Sequence, residues 1–381
     1  MTSVLNRAFW AILLLLGISA SHAARADLRK STAIFYGTNP PTNVLAQYRR
    51  IIVEADNITS QELTALRAQG GDVFAYLSIG ETAPSRHWFK SIKAEWILGD
   101  NRVWDSKVMD LRATGWQQFV LNKLVTPLWE AGYRGLFIDT MDSFKLFATS
   151  DKQHQQHADA LADLLQAIKT KYPDIRLIAN RGFEVLPAIG EQLEAVAAES
   201  LYASWDNSNK RYQPTQETDQ QWLLDQLESI QTTLNIDIII IDYLPPAKRK
   251  AAKALAKRIH KQGFIPWVSI PSLDMMGSSN FEPTLNTALL LTNSQTEPQN
   301  PLQLEPYRML KQQLQAEGIT LLVHDIQSGM PTGHLAGRYQ SIITAQPFAQ
   351  QFEIYQNWLR RQQREGVHIR TLTADAAISQ E

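Results

Sequence analysis

Eight short apolar runs, rich in β-branched and aromatic residues, alternate with stretches of helical periodicity along the chain. They are AIFYG (33–37), RIIVEA (50–55), VFAYLSIG (73–80), GLFIDT (135–140), RLIAN (176–180), AVAAES (195–200), DIIIIDY (237–243) and FIPWVSI (264–270). Several are too uniformly apolar to leave a wet face, as is usual for parallel strands covered on both sides. Eight strands alternating with helices over about 240 residues predict a (β/α)8 barrel. A doubly wound open sheet is the alternative, but no G-x-G-x-x-G or G-x-x-x-x-G-K-[ST] follows any strand to support it.

The intervening segments carry helix punctuation. Thr59-Ser60-Gln61-Glu62 is a capping-box pattern, and Gly70 and Gly71 close that helix. Trp116, Phe119, Val120, Leu124 and Leu128 recur at helical spacing, with Pro127 expected to kink or restart the helix. Leu161, Leu164, Leu165, Ile168 and Tyr172 make another stripe, stopped by Pro173. Ala251, Ala252, Leu255 and Ile259 line one face of a helix whose opposite face, Lys248, Arg249, Lys253 and Lys257, reads as solvated. The pattern changes beyond about residue 285 into a small α/β extension. NTALLLTNSQ, ITLLVHDI and VHIRTL read as strands there, with helices from Pro306 to Gly318 and from Gln346 or Pro347 onward.

The chain has 381 residues, 44% hydrophobic and 20% charged, with a net charge of -1. Nothing in that balance draws it to nucleic acid, so any charged site must be local. At the N-terminus, Arg7 precedes an apolar segment from Phe9 to Ile18 and then small residues, which predicts a signal peptide over residues 1–26. No later window is long and apolar enough for a membrane span, so a periplasmic or secreted protein is expected. There is no cysteine, which excludes disulfides, thiol catalysis and thiolate-bound metal. The expected organisation is a signal peptide (1–26), a barrel (27–280) and a C-terminal α/β extension of unknown role (281–381).

Carboxylates recur where the strands end: Glu54, Glu81, Asp139, Glu199 and Asp242. In an α/β barrel those ends face the mouth, and a buried unpaired carboxylate is costly. A wet, acid-lined cleft is the simplest reading. Tyr36, Tyr76, Asn180, Tyr202, Trp205, Tyr243 and Trp267 lie nearby. Flat rings stack on sugar faces while carboxylates and amides bond hydroxyls, so the set suits carbohydrate, although each ring alone fits core packing equally well. Asp139 and Glu199, two strands apart, could act as a glycosidase pair, or each could form a structural ion pair. His154 and His157 have i, i+3 spacing but lack a third ligand, and read as exposed helix-start residues.

YLSIGET, YRGLFIDTMDSF, IANRGFE, AAESLY and IIDYL, in this order, resemble the endo-α-1,4-polygalactosaminidases, family 114 of the glycoside hydrolases. The resemblance spans roughly residues 30 to 275. It implies a (β/α)8 barrel that cuts α-1,4-linked galactosamine or N-acetylgalactosamine polysaccharide internally, without metal or cofactor. By motif position, Asp139 corresponds to the family nucleophile and Glu199 to the general acid/base of a retaining mechanism. Glu81, Asp142, Asn180, Tyr202, Asp242 and Tyr243 fall in the same motifs and are expected to contact substrate, with Tyr36 and Trp267 added as nearby rings. A sugar-binding barrel that has lost turnover is the alternative, since fold does not guarantee activity.

Overall fold

The computed structural model describes residues 31–295, 297, 300–345, 353–372 and 378–380. The predicted signal peptide, the segment around Gln346 and Pro347, and Phe352 lie outside the described residues. All eight predicted barrel strands form: β1 (Thr32–Phe35), β2 (Arg50–Val53), β3 (Asp72–Ser78), β4 (Gly135–Asp139), β5 (Arg176–Asn180), β6 (Ala195–Glu199), β7 (Asp237–Tyr243) and β8 (Ile265–Ser269). They lie in sequence order, each parallel to the next. A doubly wound sheet would reverse its strand order partway, and this one does not. The sheet instead curls until β8 stands beside β1, where the Tyr36 N–H donates to the Leu273 carbonyl at 2.8 Å. The barrel is thus nearly closed.

Helices α1 (Thr42–Leu45), α2 (Ser60–Arg67), α3 (114–131), α4 (Asp151–Lys171), α5 (Leu186–Ile189), α6 (Glu217–Leu234) and α7 (Arg249–Lys261) wrap the outside. The capping box forms: Glu62 accepts the Thr59 N–H at 2.8 Å, and its own N–H donates to the Thr59 hydroxyl at 3.2 Å. Pro127 restarts its helix as predicted. The ring cannot donate and crowds the preceding turn, so the chain widens into a π-turn over Val120–Val125 before α-helix resumes at Thr126–Ala131. The α7 face read as solvated is only partly so. Arg249 is half-buried and donates to the Met276 carbonyl, whereas Lys253 pairs with exposed Glu282 at 2.8 Å.

The N-terminal end of the barrel is sealed by ion pairs. Nearly buried Arg50, opening β2, reaches Glu194 ahead of β6 and Asp237 at the start of β7. Arg176, opening β5, joins Glu194 to Asp72 at the start of β3, and Arg49 binds Asp72 at 2.7 Å. The other end is built up by two insertions. One is an antiparallel three-stranded sheet of Glu81–Thr82, Ile97–Asn101 and Ser106–Met109; the other is the hairpin Ala203–Asp206 with Arg211–Pro214. The Asn207 amide bonds the Val103 carbonyl, joining the two tips.

A second sheet follows, ordered β10-β9-β11-β12-β13 from β9 (Thr287–Thr292), β10 (Thr320–Asp325), β11 (Ser341–Ala345), β12 (Ile369–Leu372) and β13 (Ile378–Gln380). Helices α8 (Glu305–Ala316) and α9 (Glu353–Arg364) accompany it, and Leu290, Leu310, Leu314, Ile342 and Leu359 share a separate apolar cluster. Strands β11 and β13 were not foreseen from the sequence. No helix among the described residues is long and apolar enough to cross a membrane.

Candidate functional site

Strands β4, β5 and β6 end at the mouth in Asp139, Asn180 and Glu199. In each case the next residue is left-handed: Thr140 (φ 60°), Arg181 (φ 59°) and Ser200 (φ 65°). That conformation is uncommon outside glycine and is an outlier for a β-branched threonine. It swings the chain away while the strand-end pairing continues. The Arg181 N–H donates to the Ala197 carbonyl and the Ser200 N–H to the Ile241 carbonyl, both at 2.8 Å. The Thr140 hydroxyl accepts the Gly80 N–H at 3.0 Å and bonds the Ser78 hydroxyl at 2.8 Å. Gly80 must be glycine here, because a Cβ would lie 1.9 Å from the Thr140 carbonyl oxygen. Strain held by surrounding contacts is a feature of functional sites.

These turns present Asp139 and Glu199 across the strand between them, and Asn180 on that strand bridges both. Its amide donates to Asp139 Oδ1 at 2.7 Å and to Glu199 Oε1 at 2.8 Å. The opposite amide orientation would face a carbonyl oxygen to two carboxylates, so the acids fix it. Those two oxygens can be no further apart than the bonds laid end to end, about 5.5 Å, short of the roughly 6.5–9.5 Å between the carboxyl groups of inverting glycosidases. Each acid has a second donor: the Tyr76 hydroxyl on Asp139 Oδ2 at 2.8 Å, and the Tyr243 hydroxyl on Glu199 Oε2 at 2.5 Å. Burial and the adjoining carboxylates push both phenols well above their ordinary pKa, so they remain donors. Burial first, then the charge of Glu199, pushes Asp139 up to about 6, against the lowering bonds from Tyr76 and Asn180.

The pair stands in a cavity of about 580 Å³. Tyr36, Glu81, Asp142, Asn180 and Tyr243 line it with Asp139 and Glu199. Burial chiefly, then Asp139 and Glu199, raises the Tyr36 phenol, whose ring packs on Tyr76 with centroids 5.0 Å apart. Glu81 is nearly buried and already bonded, accepting from Asn101 at 3.0 Å, Ser143 at 2.6 Å and Ser106. It braces the inserted sheet against the turn after β4. Asp142 is half-buried on the wall.

Three expected contact residues lie elsewhere. Ile241 and Tyr243 face the cavity, so Asp242 between them points out of the barrel, where it is fully buried. There it accepts the backbone N–H groups of Leu201, Tyr202 and Ala203 at 2.7, 3.0 and 3.3 Å, fastening the loop behind Glu199. Tyr202 turns to the outside, its hydroxyl on Gln262 at 2.6 Å and its ring 3.6 Å beneath the Arg258 guanidinium. Trp267 is wholly buried, edge-on to Tyr48. Glu54 likewise forms an ion pair, with Arg86 at 2.6 Å. His157 is also not exposed as expected, since its ring stacks on Phe144 at 4.8 Å and is buried. Among the described residues no three His, Asp or Glu side chains converge as metal ligands.

Several lining residues escaped the sequence reading or were noted only as nearby rings. Tyr76 and Trp205 belong to the second group, and Arg86, Trp88, Trp104 and Arg181 to the first. The long stretch between β3 and α3 held part of the signal, in Trp88 and Trp104, which fall outside its strands, although Trp96 in the same stretch is buried in the core.

The sequence model for Glycoside-hydrolase family GH114 matches residues 20–282. Among solved structures, the glycoside hydrolase domain of PelA from Pseudomonas aeruginosa is 37% identical, covering 65% of this chain and 98% of that one with a TM-score of 0.61, and a variant of that domain gives the same values. Aspergillus fumigatus Ega3, solved in complex with galactosamine, has a TM-score of 0.47 at 13% identity over 64% of this chain and 91% of its own. No curated protein matches. Since the family match takes in all eight barrel strands and more than a third of the aligned residues are shared with the PelA domain, the chain belongs to glycoside-hydrolase family GH114.

Proposed function

We propose that this glycoside hydrolase cleaves internal α-1,4 linkages of galactosamine or N-acetylgalactosamine polysaccharide with retention at the anomeric carbon. The observation that carries the mechanism is the Asn180 bridge, which holds Asp139 and Glu199 at a separation too small for a water to attack from between them. An Asp139 oxygen attacks the anomeric carbon while Glu199 protonates the departing glycosidic oxygen. A glycosyl–Asp139 ester forms and the leaving chain departs with a hydroxyl. Glu199, now a carboxylate, takes a proton from water; the water oxygen bonds the anomeric carbon and Asp139 leaves. Tyr76 and Asn180 favour the ionised nucleophile throughout.

The wall charge supports an amino sugar. Glu81, Asp139, Asp142 and Glu199 face the cavity against Arg86 and Arg181, and Arg86 is already answered by Glu54 and Asp56 at 2.6 and 3.0 Å. The half-buried Asp142 carboxylate is the group placed to pair with a sugar ammonium. Partly deacetylated chains are therefore preferred, and salt weakens that preference. The leader-like N-terminal sequence supports an encounter outside the cytoplasm.

The test is incubation with galactosamine-rich polysaccharide, with mass analysis of fragments and proton NMR of the newly formed reducing ends. Internal fragments whose first-formed anomer is α are expected. Absence of cleavage would overturn the substrate, and a β anomer would overturn retention. Equal cleavage of fully acetylated and partly deacetylated chains would remove the ammonium-pairing role.

A further inference from the structure

We propose that a second cavity, beside the catalytic cleft, is an additional sugar subsite with Trp222 as its stacking platform. The proposal rests on the polysaccharide reading above, because a hydrolase that cuts within a chain must hold units beyond the two flanking the scissile bond. The cavity measures about 300 Å³, room for a hexose ring. Arg181 and Ser200, the left-handed residues after β5 and β6, line both cavities. The two spaces therefore meet at the backbone that positions Asn180 and Glu199.

The platform itself departs from core packing. Trp222, in the second turn of α6, is 50% exposed, while its neighbour Leu223 is 2% exposed and faces the core. An unpaired indole on a helix surface leaves a large apolar area in water. Its ring is nevertheless braced, for Phe183 from the loop after β5 lies against it with centroids 6.0 Å apart at 57°. Asp219, one turn earlier on the same helix, is exposed and lines the cavity with Thr215. Thr215 donates to the Ser200 carbonyl at 2.8 Å, tying the hairpin to the strand end that carries Glu199. A braced ring, a carboxylate and the amide residues Gln213 and Gln216 in the lining together fit one hexosamine unit, its face on Trp222 and its ammonium toward Asp219.

The experiment compares the wild-type chain with Trp222→Ala and Trp222→Phe on an aryl galactosaminide, a galactosamine disaccharide and chains of eight or more units. For Trp222→Ala, kcat/KM on long chains is expected to fall about 3- to 10-fold with a changed fragment distribution, and to hold on the short substrates. Trp222→Phe should recover part of the loss. Equal rates and identical fragments on long chains would overturn the subsite while leaving the hydrolase reading intact. A loss of the same size on short substrates would also overturn it, pointing to disturbance of Glu199. A wild-type chain inert on every galactosamine substrate would overturn the substrate reading and this subsite with it.

Discussion

Asp139 is held by two donors yet crowded by Glu199, and those influences oppose each other. Because its folded value is pushed up to about 6, above the unfolded carboxylate, the native state binds more protons than the unfolded chain between about pH 4 and 6. Stability contributed by that proton is present in acid and is lost as pH rises through 6. At pH 7 the ionised side chain costs on the order of 1–3 kcal/mol, with the lower figure favoured by water in the cleft. Asp139→Asn is therefore expected to slow turnover by a factor on the order of 10⁴ while melting at or above the wild type at pH 8, the advantage shrinking toward pH 4. A lower melting temperature at pH 8 would return Asp139 to a structural role. Because the charge of Glu199 is part of what raises Asp139 and is absent while Glu199 holds the proton it donates, the limb on which kcat/KM falls as the nucleophile takes a proton is expected below pH 6. Glu199→Gln should slow hydrolysis on the order of 10² or more, with recovery on substrates whose leaving group needs no proton. Failure of that rescue would move the acid role to another carboxylate. Both residues were legible as acids ending apolar runs. Asp242 looked the same in the sequence, but strand alternation sends it outward, and alternation at a strand's last residues cannot be read until the register is known.

At the scale of elements, the site depends on loops fixed from behind. Asp242 turns three otherwise buried N–H groups into one anchor for residues 201–203, directly after the left-handed Ser200. Asp242→Ala strands all three, and a loss of about 3–5 kcal/mol in urea unfolding is expected. Turnover should fall as well, because Glu199 loses its backing. An unchanged urea midpoint would show that water replaces the carboxylate. Barrel strands and the main helices were readable because each has an apolar run, a strong period or a cap: β7 is built on the four isoleucines 238–241, and α2 opens on its capping box. The two mouth insertions were not. Glu81–Thr82 spans two residues and pairs only through tertiary contacts, so its own sequence carries no strand period. The β11 strand, SIITA, is five residues long and takes its neighbours from segments far along the chain.

Across the whole molecule, the two ends of the barrel divide the work. The C-terminal end accepts strain at Thr140, Arg181 and Ser200 to aim its acids. The N-terminal end ties the starts of β2, β3, β5 and β7, and the residue before β6, through Arg50, Arg176, Asp72, Glu194 and Asp237. This ring was not legible, because opposite charges at strand starts look like ordinary surface residues until closure brings them together. Arg50 is 6% exposed and serves two carboxylates, so its removal takes a buried cation from Asp237 and leaves Glu194 to share Arg176 with Asp72. Arg50→Met is expected to cost about 3–5 kcal/mol in urea unfolding. Because the ring lies a full strand length from the mouth, kcat/KM for the folded fraction should stay within about twofold of wild type at low temperature. Joint replacement of Arg50, Glu194 and Asp237 by apolar residues of similar volume should recover much of the lost stability, since no charge is then left unpaired. A large fall in kcat/KM with unchanged unfolding would contradict this division, and would mean that the base of the barrel sets the geometry of its mouth directly.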